Sequence, residues 1–116
     1  MPNPVTHFEV LGKDAAALQR FYGEAFGWPM QDVMEGSYYM VQPEEGRGIG
    51  GGVGAARGSE GHVTFYVEVD DPAAALEKIE ELGGSTIQRP MDIPNGPTIA
   101  LFADPEGHVI GLVKGM

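Results

Sequence analysis

The 116-residue chain contains no cysteine, which excludes a disulfide framework and any thiolate metal site. Basic residues are scarce: 7 Lys+Arg stand against 17 Asp+Glu, leaving a formal charge of −10. A surface of that sign repels phosphate backbones and anionic lipid headgroups, so nucleic acid and membranes are not expected as partners. No apolar run approaches the roughly 20 residues of a membrane span. The opening Met1-Pro2-Asn3-Pro4 also lacks the basic and apolar regions of a secretory signal, so the expected location is cytoplasmic. What remains is ordinary for a folded chain, with 42% hydrophobic and 21% charged residues. At this length one domain is expected, burying about two thirds of its unfolded surface.

Ready-made catalytic patterns are also missing. No Ser-His-Asp, P-loop or zinc-finger spacing is present. Gly46-Arg47-Gly48-Ile49-Gly50-Gly51 does satisfy G-x-G-x-x-G, but a dinucleotide site needs that turn to open a helix whose N-terminus meets the pyrophosphate. Here Gly52-Val53-Gly54-Ala55 follows, which reads as a strand. The glycines are therefore expected to allow bulges or close backbone approach, and to form a floor with few side chains that leaves room for a ligand.

What the chain does contain is one supersecondary unit written twice. Val5-Thr6-His7-Phe8-Glu9-Val10-Leu11 is a β-rich run leading to Asp14, an N-cap residue. Apolar positions at Leu18, Phe21, Tyr22, Ala25 and Phe26 follow with helical spacing, and Gly27 ends the helix. Val63-Thr64-Phe65-Tyr66-Val67-Glu68-Val69 repeats the strand, with Asp71-Pro72 as cap and first helical residue. Ala75, Leu76, Ile79 and Leu82 form the second apolar stripe, stopped by Gly83-Gly84. The copies are offset by about 57 residues, half the chain, which suits a duplicated module rather than a solenoid.

After each helix three more strands are predicted. In the first half they run over 28–34, 37–41 and 48–55, and in the second over 85–91, 97–102 and 108–113. Turns are expected at Pro94-Asn95-Gly96 and Asp104-Pro105-Glu106-Gly107. The polar stretch Arg57-Gly58-Ser59-Glu60-Gly61 is the natural boundary, giving one domain over 1–116 with modules of about 1–58 and 59–116. The fold class is thus α+β: two tandem βαβββ modules, each offering one helix to one face of a short sheet, forming a cupped mixed sheet.

His7-Phe8-Glu9, Asp14, Phe21-Tyr22-Gly23-Glu24-Ala25-Phe26-Gly27-Trp28 and Asp104-Pro105-Glu106-Gly107 together resemble the glyoxalase, bleomycin-resistance and extradiol-dioxygenase family, the vicinal oxygen chelate superfamily. The resemblance covers nearly the whole chain. It implies a cup of paired modules, usually in a homodimer, holding a small molecule or a metal. In metal-dependent members it implies ligands on the first and last strands of each module, typically His, Gln or Glu.

His7 matches the first such position. Its counterpart in the second module is Thr64, the last strand of module one is Gly50-Gly51-Gly52-Val53-Gly54, and the fourth position is Gly111. One ligand of four is present, so no cofactor is expected. The alternative is a divalent ion such as Zn, Ni, Mn or Fe held by His7 with Glu9, His62 or Glu68. His108 is a further candidate ligand from an off-register position.

His7 and Glu9 share one strand face, with Phe8 and Val10 opposite, and are the candidate catalytic pair. The expected ligand-binding lining is His7, Glu9, Tyr38, Met40, Tyr66 and Thr98. Aromatic walls in an acidic protein suit a cationic or planar ligand. Two functions follow: a binding module that holds a small organic molecule without turning it over, or a metal-dependent glyoxalase-like lyase or isomerase using His7.

Overall fold

A computed structural model describes residues 2–56 and 60–115. The expected boundary at 57–61 falls largely outside them. The elements run β1 (Val5–Gly12), α1 (Ala15–Phe26), β2 (Met30–Asp32), β3 (Tyr38–Val41), β4 (Gly50–Ala55), β5 (Gly61–Val69), α2 (Pro72–Glu81), β6 (Ser85–Asp92), β7 (Thr98–Ala103) and β8 (Val109–Lys114). This is the α+β architecture of two βαβββ modules. The chain divides into two compact units, His7–Thr64 and the residues up to Thr6 with those from Phe65 on, the division passing through β1 and β5.

In the first unit the strand order is β2-β3-β4-β1, with β1 parallel to β4 and the remaining pairs antiparallel. Asp14 caps α1 by accepting from Ala17 N at 3.0 Å, and Gly27 ends it at φ 71°, a left-handed conformation that costs a glycine little. Strand β2 is shorter than the sequence predicts because the Asp32 carboxylate accepts from Met34 N and Gly36 N, folding the chain into a turn before β3. Val10, Val41 and Val53 form the core, with Phe8, Leu18, Tyr22, Trp28 and Met30 packed against them. Val53 is fully buried, which stabilises by about 1.5–3 kcal/mol relative to exposure. The helix stripe is narrower than predicted, since Phe21 and Phe26 are more than 60% exposed. Both extend the aromatic group around Tyr22 and Trp28, whose rings stack at 5.4 Å.

The second unit repeats the plan with order β5-β8-β7-β6, β5 parallel to β8 and the rest antiparallel. Asp71 accepts from Ala73 N and Ala74 N, and Pro72 occupies the first helical position. Val69, Leu76, Ala100 and Leu112 make the core, joined by Val67, Ala75, Ile79 and Phe102. Leu82, predicted in the α2 stripe, sits at the helix C-cap and is exposed. The turn before β8 is built on Asp104, whose carboxylate accepts from Glu106 N, His108 N and His108 Nδ1.

Candidate functional site

Strand register sets which side chains share a face. His7 lies opposite Gly50, Glu9 opposite Gly52 and Leu11 opposite Gly54, while Tyr38 lies opposite Gly54 and Met40 opposite Gly52. Because Val10, Val41 and Val53 on the alternate positions form the core with α1, these residues occupy the face turned away from the helix. The parity expected for His7 and Glu9 against Phe8 and Val10 is the one observed.

Three side chains converge on this face. The Tyr38 hydroxyl donates to Glu9 Oε2 at 2.9 Å and stands 3.2 Å from His7 Nε2. A carboxylate only accepts, so the single phenolic proton goes to Glu9; the bond to His7 is then Nε2–H donating to the Tyr38 oxygen, which assigns the imidazole tautomer. Burial pulls the His7 pKa below its ordinary value, and the Glu9 carboxylate opposes that with a smaller upward pull. At neutral pH the imidazole is uncharged. The arrangement can accept or donate a proton and can hold polar ligand atoms by hydrogen bonds.

The glycines of β4 make this possible. A Cβ on Gly52 would collide with the Tyr38 hydroxyl and ring, and one on Gly54 would meet the same ring at 2.5 Å. On the opposite face a Cβ on Gly51 would strike the Phe8 ring. The glycine-rich floor is therefore covered by the chain's own rings, where the sequence suggested vacant space for a ligand. The second unit uses the same device: Tyr66 pairs with Gly111, and a Cβ on Gly111 would strike the Tyr66 ring.

Of the other expected lining residues, Met40 is half-buried on the His7 face, and Tyr66 is buried on the face of its own unit turned away from α2. Thr98 requires a correction. It has the parity of Ala100 and Phe102, which pack in the core with α2, so Ile99 and Leu101 hold the opposite face beside Gly111. Its hydroxyl donates to Asp92. Gln31, which sequence reasoning passed over, shares the His7 face through its pairing with Met40; a three-residue strand is too short to reveal its parity.

A divalent metal site generally requires three or more protein ligands. Among the described residues no group of three or more His, Cys, Asp or Glu is gathered that could hold one. His62 and His108 are exposed, the latter bound to Asp104 at 2.8 Å, and Glu68 lies against Gly115. Thr64, the residue one repeat after His7, is buried, and Gly52 on β4 and Gly111 on β8 lie under tyrosine rings. These residues do not fit a catalytic divalent ion.

Comparison with known proteins agrees with the fold. The protein DnrV of Streptomyces peucetius, named for anthracycline biosynthesis, is 28% identical over 124 residues, covering 91% of this chain and 45% of that one. CFP32 of Mycobacterium bovis is 27% identical over 106 residues, covering 85% and 41%. The chain thus spans less than half the length of the curated relatives it matches. Among solved structures, methylmalonyl-CoA epimerase from Mycobacterium tuberculosis is similar at TM-score 0.70 and 12% identity, over 97% of this chain and 87% of that one. No helix among the described residues is long and apolar enough to cross a membrane. The glyoxalase-like domain model matches residues 8–113, from the strand that carries Glu9 to the strand that carries Gly111, and the chain belongs to that family.

Proposed function

We propose that this protein binds a small organic molecule against the His7–Tyr38–Glu9 face without a complete metal centre. The observation that carries this reading is the contact of the Tyr38 ring with Gly52 and of the Tyr66 ring with Gly111. A carboxylate at either glycine would need the space that a ring already fills, so the last-strand ligand positions are closed as well as empty of donors. Neutral His7, the carboxylate of Glu9 and the half-buried Met40 supply the mix of apolar wall and few polar groups typical of small-molecule sites. The relative named for anthracycline biosynthesis is in keeping with an organic ligand. A cationic or planar compound suits the net charge and the aromatic lining. A cytoplasmic homodimer belongs to the same proposal.

The test is elemental analysis and thermal shift on chelator-treated protein, with Zn²⁺, Ni²⁺, Mn²⁺ and Fe²⁺ added back singly. No stoichiometric metal and no stabilisation is the expected result, followed by hits in a screen of cationic and aromatic compounds. Stoichiometric metal with stabilisation that disappears in His7→Ala would overturn the reading and restore the lyase or isomerase.

A further inference from the structure

The His7 face of the first unit already holds a ligand-like group, and that group belongs to the protein. Tyr38 sits on β3, a strand of four residues, and its ring covers Gly52 and Gly54. Its hydroxyl is fixed at both ends, donating to the Glu9 carboxylate at 2.9 Å and lying 3.2 Å from His7 Nε2. A glycine bed with no side chains of its own and an acceptor and a donor at one end can take a planar ring bearing one hydroxyl. Glycine leaves main-chain atoms as the only surface beneath the ring, so the bed selects flatness. The paired polar groups select the hydroxyl, because a ring without it would leave a half-buried carboxylate and imidazole without that partner.

The geometry points to Tyr38 as an internal occupant of a phenol-binding slot, displaced when an external planar phenol takes its place between His7 and Glu9. This rests on the small-molecule reading above and narrows its ligand class to phenols. Displacement exchanges one phenol for another: the Tyr38 bonds to Glu9 and His7 break as the ligand's hydroxyl forms the same two. A tethered competitor weakens binding by the fraction of time it holds the slot, so removing its hydroxyl or ring should strengthen it.

The test uses p-cresol, which reproduces the tyrosine side chain, and toluene, which lacks the hydroxyl, titrated by NMR and calorimetry into wild type, Tyr38→Phe and Tyr38→Ala. Wild type is expected to bind p-cresol weakly and saturably with the Tyr38 resonances shifted. Tyr38→Phe should bind it more tightly, and Tyr38→Ala between about tenfold and a hundredfold more tightly than wild type. In Tyr38→Ala, toluene should bind at least tenfold more weakly than p-cresol, and adding Glu9→Ala, which removes the acceptor, should sharply reduce that preference. Equal binding of toluene and p-cresol would reduce the slot to a hole left by the mutation and overturn the inference. So would wild type that fails to bind at a hundred times the Tyr38→Ala dissociation constant, since Tyr38 would then be a fixed wall. A non-phenolic ligand bound at His7 would sink the phenol class and leave the metal-free reading standing, whereas stoichiometric metal at His7 would sink that reading itself.

Discussion

One methyl group added at Gly52 probes the contact on which the site depends. The three atoms nearest to a Cβ at that position all belong to Tyr38, so Gly52→Ala must push the ring off β4 and break its bonds to Glu9 and His7. A bond to a charged group contributes about 1.5–3 kcal/mol and a neutral one about 0.5–1.5, and with both only part-buried the combined loss is about 2–3 kcal/mol. Replacing glycine by alanine where the backbone is compatible returns about 0.4–1 kcal/mol through the unfolded state. The net expectation is a destabilisation of about 1–2.5 kcal/mol. In a Tyr38→Ala background the collision is gone, so the same substitution should be neutral or stabilising by up to about 1 kcal/mol. Gly54→Ala is the control: besides the Tyr38 ring its Cβ would meet Ser37 O at 2.7 Å, a main-chain atom that Tyr38→Ala does not move, so it should stay destabilising in both backgrounds. Urea denaturation of the four proteins in the Gly52/Tyr38 cycle gives the coupling, expected near 2–3 kcal/mol. Additive effects at Gly52 and Tyr38 would refute the placement of the ring.

His7 supplies a pH signature. Its folded pKa lies below the unfolded value near 6.5, so the unfolded chain binds the proton first and stability falls as pH drops below about 6.5. The loss levels off once the folded pKa is passed. The stability difference between wild type and His7→Gln, followed by urea unfolding from pH 7.5 down to about 5, should shrink or reverse over that window; a pH-independent difference would contradict the burial. Asp71→Ala removes the acceptor for Ala73 N and Ala74 N and should cost about 1 kcal/mol by urea denaturation. Val53→Ala in the first core should cost roughly 2 kcal/mol and speed amide exchange on β1 and β4.

Much of the fold was legible because local chemistry and repetition agreed. Asp14 and Asp71 announce the helix starts, Gly27 and Gly83 mark their ends, and the strand runs restart at the same distance. The parity of β1 was readable since polar His7 and Glu9 alternate with Phe8 and Val10. Thr98 was misplaced because Thr98-Ile99-Ala100-Leu101-Phe102 is apolar on both faces after its first residue, and Ala100, the residue that fixes the core side, is too small to stand out. Phe21 and Leu82 fall on the predicted apolar stripes yet are exposed, because helical spacing records position, not how far a sheet extends beneath the helix. The Tyr38 bridge was hidden for another reason: it joins residues 29 and 31 positions apart. The glycines beneath it signal only that something comes close, not what.

Strand β4 carries almost no side chains of its own, and this makes it a membrane-thin partition between two rings. Phe8 presses on Gly51 from the helix side while Tyr38 presses on Gly52 and Gly54 from the other. Close-packed interiors transmit displacement where no soft side chain absorbs it. Repacking beneath α1, for instance at Trp28 against Phe8, therefore reaches the Tyr38 hydroxyl through a single layer of main chain. The position of the Tyr38 hydroxyl between Glu9 and His7 becomes tunable from residues on the helix side of the strand.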